Sequence, residues 1–287
     1  MRRIVTAVMA VLASGGAALH AQSPQQPTLI LTINGGLTSG GDLWTLPRQL
    51  VPVIGATDPN GQFDTLRLGR RLRPGIVASL VATLHRSRHV GYAFEVGYFG
   101  LDSEGRCEAI VPFHPDAGTP APEMKNQQAC EAAQGNHFGT NVIGFQGGLV
   151  YRLTPPGPVS PYVRATGGLA ALGSSYVQTI TRVLAPQGCA STGSNTCNIA
   201  LLVQQRRVSA TWSGTLAAGL SWAFGPGYQL RLEARDFIVS LPIASDSTTP
   251  TTANPDPVAR VGSRTKHVLI LTAGLDVILE RRHRRRY

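Results

Sequence analysis

Six charged residues share one side of an alternating pattern: Glu95, Arg152, Arg164, Arg231, Glu233 and Arg235, with Gln146, Thr166 and Asp276 on the same parity. Carboxylates and guanidiniums placed together inside a protein are tolerated when they pair, so the set reads as a structural ion-pair network or as a gate that exchanges partners. The four cysteines are Cys107, Cys130, Cys189 and Cys197, an even set that favours disulfides. Three connectivities are open, and the pairings Cys107 with Cys130 and Cys189 with Cys197 keep each bridge within one loop. No metal site is expected, because no Cys-x-x-Cys occurs and His114 and His137 lack a paired ligand spacing. His85 and Ser87 form a His-x-Ser, while Asp58, His114 and Asp116 supply acids and a histidine in loops. Neither set has the spacing constraint of a catalytic constellation, so the reading is of no enzyme and no cofactor.

The elements that must position these residues are strands. In Arg206 to Leu241 the polarity switches with nearly every residue: Val208, Ala210, Trp212, Leu216, Leu220, Trp222 and Phe224 oppose Ser209, Thr211, Ser213, Thr215 and Ser221. After Gly225-Pro226-Gly227, Leu230, Leu232, Ala234 and Ile238 oppose Gln229, Arg231, Glu233 and Arg235. A period of two with a glycine-rich reversal is a β-hairpin. Its apolar face carries aromatics near the ends and its other face carries mid-strand charges, which suits a wall between lipid and a polar lumen. Asp236 breaks the outward parity, and a bulge or the membrane boundary is the expected cause.

Six more strands follow the same pattern, over Thr28 to Thr38, Gly75 to His85, His89 to Leu101, His137 to Leu153, Pro161 to Leu172 and Arg264 to Leu279. The connections alternate long and short, and the long ones, including Ser39 to Pro74, Asp102 to Asn136, Gly173 to Gln205 and Pro242 to Ser263, read as irregular. The expectation is an all-β, closed up-and-down antiparallel transmembrane barrel of eight strands, with short periplasmic turns and long external loops. Eight strands leave an interior that side chains just fill, which argues against a wide pore.

The chain of 287 residues begins with Met1, Arg2 and Arg3, an apolar run from Ile4 to Leu12 and small residues from Gly15 to Ala21. That is the pattern of a secretory signal peptide over residues 1–21, ahead of a barrel domain over 22–280 and a basic tail over 281–287. The expected location is therefore the outer membrane of a Gram-negative-type bacterium. Of the formal net charge of +10, two arginines belong to the leader and five to the last seven residues, which leaves the body near +3. Nucleic acid is not an expected partner. The tail, Glu280 to Tyr287, reads as a solvated run that contacts peptidoglycan or anionic headgroups. The remaining expected partners are outer-membrane lipid, lipopolysaccharide and the barrel assembly machinery.

Thr272, Gly274, Val277 and Leu279 resemble the C-terminal assembly signal of outer-membrane barrels. With YVRATGGLAALG and LRLEARDF, they resemble strands of the OmpA/OmpX-like eight-stranded family. The resemblance spans residues 28 to 279. It departs where Leu279 replaces the usual terminal aromatic and further residues follow, and no peptidoglycan-binding domain follows the barrel. It implies a structural or surface-interaction barrel. The His85-x-Ser87 pair resembles that of lipid A deacylase barrels but falls at a periplasmic turn rather than at the outer leaflet. A lipid-modifying enzyme of the deacylase or acyltransferase type and a narrow passive channel are the alternatives.

Overall fold

The computed structural model describes residues 28–54, 62–117, 124–139, 141–173, 176–184, 196–204, 208–251 and 256–279. Among them, alternation of branched and aromatic residues with small or polar ones gives long strands whose two faces differ in character. The barrel strands are β1 (Thr28–Thr38), β4 (Ile76–His85), β5 (Val90–Gly100), β8 (Asn141–Arg152), β9 (Val159–Leu172), β12 (Ala210–Gly225), β13 (Tyr228–Ser247) and β14 (Ala259–Leu279). They close in the order β1-β14-β13-β12-β9-β8-β5-β4, every neighbour antiparallel. The fold is a closed eight-stranded antiparallel barrel. Its seam pairs Leu29 with Leu279 and Thr38 with Ile270, so the first and last strands leave no open edge. No helix among the described residues is long and apolar enough to cross a membrane.

Outward positions form an apolar belt that includes Ile33, Leu80, Phe94, Phe145, Leu169, Leu216, Leu232 and Leu271, all exposed. An exposed apolar band that encircles a closed barrel suits lipid as its solvent. Trp222, Phe224 and Tyr228 lie outward at the end with short turns, where Phe224 and Tyr228 stack at 6.4 Å. Tyr151 stacks on His89 at the same end, with ring centroids 5.9 Å apart. Amphipathic aromatics at the edge of an apolar belt suit a membrane interface.

The long connections are folded, which corrects the expectation of irregular loops. Ser39 to Pro74 holds β2 (Gly41–Pro52) and β3 (Phe63–Leu72), and Asp102 to Asn136 holds β6 (Ser103–Ala109) and helix α1 (Lys125–Ala133). With β7 (His137–Phe138), these strands make a four-stranded sheet in the order β2-β3-β6-β7. The third connection contains the hairpin of β10 (Thr179–Leu184) and β11 (Thr196–Leu202). Strands β13 and β14 are 20 and 21 residues long, twice the roughly ten that cross a bilayer, so they continue as a paired ribbon up to Ser247 and Ala259. Together these segments form a cap over one end of the barrel. The period of two was invisible in β2 and β3 because register shifts between Asp42 and Trp44 and between Leu46 and Gln49 break it.

One apolar core joins cap and barrel. Leu43, Trp44, Leu46, Leu66, Leu68, Tyr176 and Leu201 from the cap are buried in the same cluster as Val77, Phe99, Val142, Phe237, Val268 and Ile270 from the barrel wall. Trp44 ties the two parts further, since its indole N–H donates to the Tyr176 carbonyl at 2.9 Å. Burial of this size outweighs the entropy of ordering long loops, which is why the cap is folded.

Candidate functional site in the barrel lumen

Strands β5 and β13 stand opposite each other in the ring, and β9 stands midway between them on one side. Glu95 on β5, Arg164 on β9, and Glu233 and Arg235 on β13 all project inward and are buried. Arg235 Nη1 donates to Glu95 Oε1 at 2.6 Å, and Arg164 Nη2 donates to Glu233 Oε1 at 2.7 Å. Arg164 also pairs with Glu95, and Arg235 Nε with Glu233. Each carboxylate therefore holds two guanidiniums and each guanidinium holds two carboxylates. Four charges cancel within one ring of contacts, which offsets the cost of removing them from water.

Two further layers lie on either side of this ring. Towards the cap, Gln146 accepts from Thr166 Oγ1 at 2.8 Å and Thr215 Oγ1 at 2.7 Å, and its amide donates to Ser213 Oγ at 3.0 Å. Towards the turns, Arg231 donates to Asp276 Oδ2 through Nε at 3.1 Å and Nη2 at 3.0 Å, and Thr32 Oγ1 donates to Asp276 Oδ1 at 2.6 Å. Tyr162 links these levels: its hydroxyl donates to Glu233 Oε2 at 2.6 Å, and its ring lies 4.8 Å under the Arg231 guanidinium.

The structure brings Glu95, Arg164, Glu233 and Arg235 together and places Arg231 one step below them with Asp276. Arg152 is not part of the ring; it is half-buried at the turn end and makes no ion pair among the described residues. Tyr162 was missed by the sequence reading, although it shares the inward parity of Arg164 two positions on and that parity was the signal to use. The lumen is also not charged throughout. Above Gln146, Phe99 and Phe237 stack across it at 4.1 Å and 10°, backed by Val77, Val142, Ala170 and Val239.

The other marked residues fall elsewhere. Asp236 sits in a regular part of β13 and accepts from His267 Nδ1 at 2.8 Å, so an outward hydrogen-bond partner rather than a bulge accommodates it. Cys107 and Cys130 form a disulfide that ties β6 to α1. Cys197 is disulfide-bonded, whereas Cys189 lies outside the described residues, as do the leader (1–21), Asp58 and the basic tail (281–287). Thr272 faces the lumen and Leu279 faces outward beside Leu29 at the seam, while Gly274 packs on Ile33 and Asn34 and Val277 faces Leu31.

Among the described residues the side chains of the two polar motifs do not bond one another. His85 is buried, whereas the Ser87 hydroxyl accepts the Val90 amide at 2.9 Å as part of the turn. In the cap, His114 bonds Asp64 at 2.9 Å and Asp64 accepts from Asn126 at 2.8 Å, while Asp116 pairs with Lys125 at 3.6 Å. Arg70, also in the cap, donates to the Gln178 carbonyl, and burial pulls its pKa down to about 10.

No protein-family model matches the sequence, and no curated protein matches it. Among solved structures, similarity is found to neisserial surface protein A at a TM-score of 0.39 and 8% identity, over 88% of this chain and 99% of that one. The outer membrane protein AlkL, in lipid bilayers, is similar at a TM-score of 0.39 and 10% identity, over 93% and 97%. The outer membrane protease OmpT from Escherichia coli is similar at 0.36 and 9%, over 91% and 99%. These likenesses are remote, and the assignment of fold rests on the strand count, order and closure described above. By those criteria the chain has the architecture that its resemblance to the OmpA/OmpX-like barrels implies: a closed eight-stranded β-barrel of the outer-membrane type.

Proposed function

We propose that this protein is an outer-membrane barrel with a sealed lumen that holds a folded cap at the cell surface, and that its role is structural or interactive rather than catalytic. The carrying observation is the continuous apolar core from Phe99 and Phe237 into the cap, which fills that end of the barrel with apolar side chains. A static lumen suits it, because each charge in the ring is held by two partners, and the ring spans three strands. The cap end is read as external and the turn end as periplasmic, since outer-membrane barrels keep their short turns inside.

The test is conductance in planar bilayers. The wild-type barrel is expected to be silent, and so is Glu233→Ala, whereas Phe99→Ala with Phe237→Ala is expected to leak. A steady wild-type conductance would overturn the sealed reading in favour of a passive channel. Mass spectrometry of lipid A from expressing cells addresses the lipid-modifying alternative: an unaltered profile is expected, and a deacylated or acylated product would replace this proposal.

A further inference from the structure

The turn end of the barrel carries a recess of about 200 Å³, walled by His85, Arg86, Ser87, Arg88 and Arg152. Arg86 and Arg88 stand on the turn between β4 and β5, and Arg152 ends β8, so two separate connections converge on one space. None of the three guanidiniums forms an ion pair among the described residues. The carboxylate on the nearby lumen floor, Asp276, is already engaged by Arg231 and Thr32. Three guanidiniums that pair with no carboxylate among the described residues face one recess and favour an anion there.

The neutral groups suit the same ligand. Ser87 uses its oxygen to accept the Val90 amide at 2.9 Å, which leaves its hydrogen available to donate. His85 forms a buried wall at 5% exposure, so the polar lining of the recess comes from the three guanidiniums and the Ser87 hydroxyl. Guanidiniums offer paired N–H groups that match two oxygens of a tetrahedral oxyanion, and a hydroxyl supplies a further donor.

We propose that this recess binds a phosphate group, with Arg86, Arg88 and Arg152 as its cationic clamp and Ser87 as a neutral donor. The source is either the headgroup of an inner-leaflet phospholipid or free phosphate. The headgroup source rests on the periplasmic reading of this end, whereas binding itself does not.

The experiment uses the full folded barrel in octyl glucoside, a phosphate-free detergent, titrated by calorimetry with inorganic phosphate and separately with short-chain phosphatidylglycerol. Wild type is expected to bind at least one of them with a salt-sensitive affinity, and Arg88→Ala with Arg152→Ala to lose tenfold or more. Arg86→Gln, on the exposed turn, guards against misfolding and is expected to lose severalfold while the gel shift between unboiled and boiled samples stays intact. Binding of phosphatidylglycerol assigns the headgroup, and binding of inorganic phosphate alone assigns the free anion. Failure of both probes to bind wild type, or binding that survives all the arginine variants, overturns the proposal. Neither result depends on whether the lumen conducts.

Discussion

Glu95 and Arg235 meet at 2.6 Å across the full width of the barrel, from β5 to the opposite wall at β13. Neither strand pairs with the other through its backbone, so side chains couple the two walls: this contact, the Arg164 bridge beside it and, nearer the cap, the Phe99–Phe237 stack.

Glu95→Ala leaves Arg164 and Arg235 each short of a partner inside the barrel. Removal of one member of a buried ion pair costs about 3–5 kcal/mol. Guanidinium unfolding from vesicles should show a loss of that size, and Glu95→Gln, which keeps the shape and two hydrogen-bonding atoms, should lose less. Equal losses for the two variants would mean that packing rather than charge sets the effect.

Arg164→Ala and Arg152→Ala should differ sharply. Arg164 holds two carboxylates, and its removal leaves both sharing Arg235 alone, whereas Arg152 makes no ion pair among the described residues. The expected change for Arg152→Ala is smaller, about 1 kcal/mol or less, as for a half-buried side chain with no ion partner among the described residues. Comparable destabilisation by both would place Arg152 inside the network after all.

Gly274 lies at the seam, where an added Cβ would stand 2.7 Å from the Ile33 carbonyl oxygen. That oxygen is backbone and cannot swing aside, so Gly274→Ala must push β14 away from β1. The readout is the fraction of refolded protein that migrates in the compact form on unboiled gels, and a marked fall is expected.

The Cys107–Cys130 disulfide closes a separation of 23 residues in the cap. Its loss should cost about 3 kcal/mol on the chain-entropy estimate. Because the barrel strands do not depend on it, reduction should expose the cap to trypsin at the already exposed Arg106 while the barrel keeps its compact migration. Loss of the barrel along with the cap would show that the shared core makes one cooperative unit.

The inward parity of Glu95, Arg164, Glu233 and Arg235 was legible because a strand has a strict period of two and the apolar partners on each side are unambiguous. Parity says which residues face the lumen but not their height, since that depends on strand stagger around a closed ring. Hence Arg152 reads as a member of the set although it sits a tier away, and Tyr162, on the same inward parity, goes unmarked although it holds Glu233. Asp236 looked anomalous for the same reason: its partner, His267, is distant in sequence and adjacent only in the sheet.

The sequence by itself determined the closed barrel, because alternation fixes strands and lipid permits no open sheet edge. It also determined which faces are apolar and that the long connections share one end. Only the tertiary structure decided that those connections fold into a cap, that apolar residues pack into the cap end of the lumen, and that four charges close into a ring. These features depend on contacts between residues far apart in the chain, such as Phe99 with Phe237 and Trp44 with Tyr176, and no local pattern encodes them.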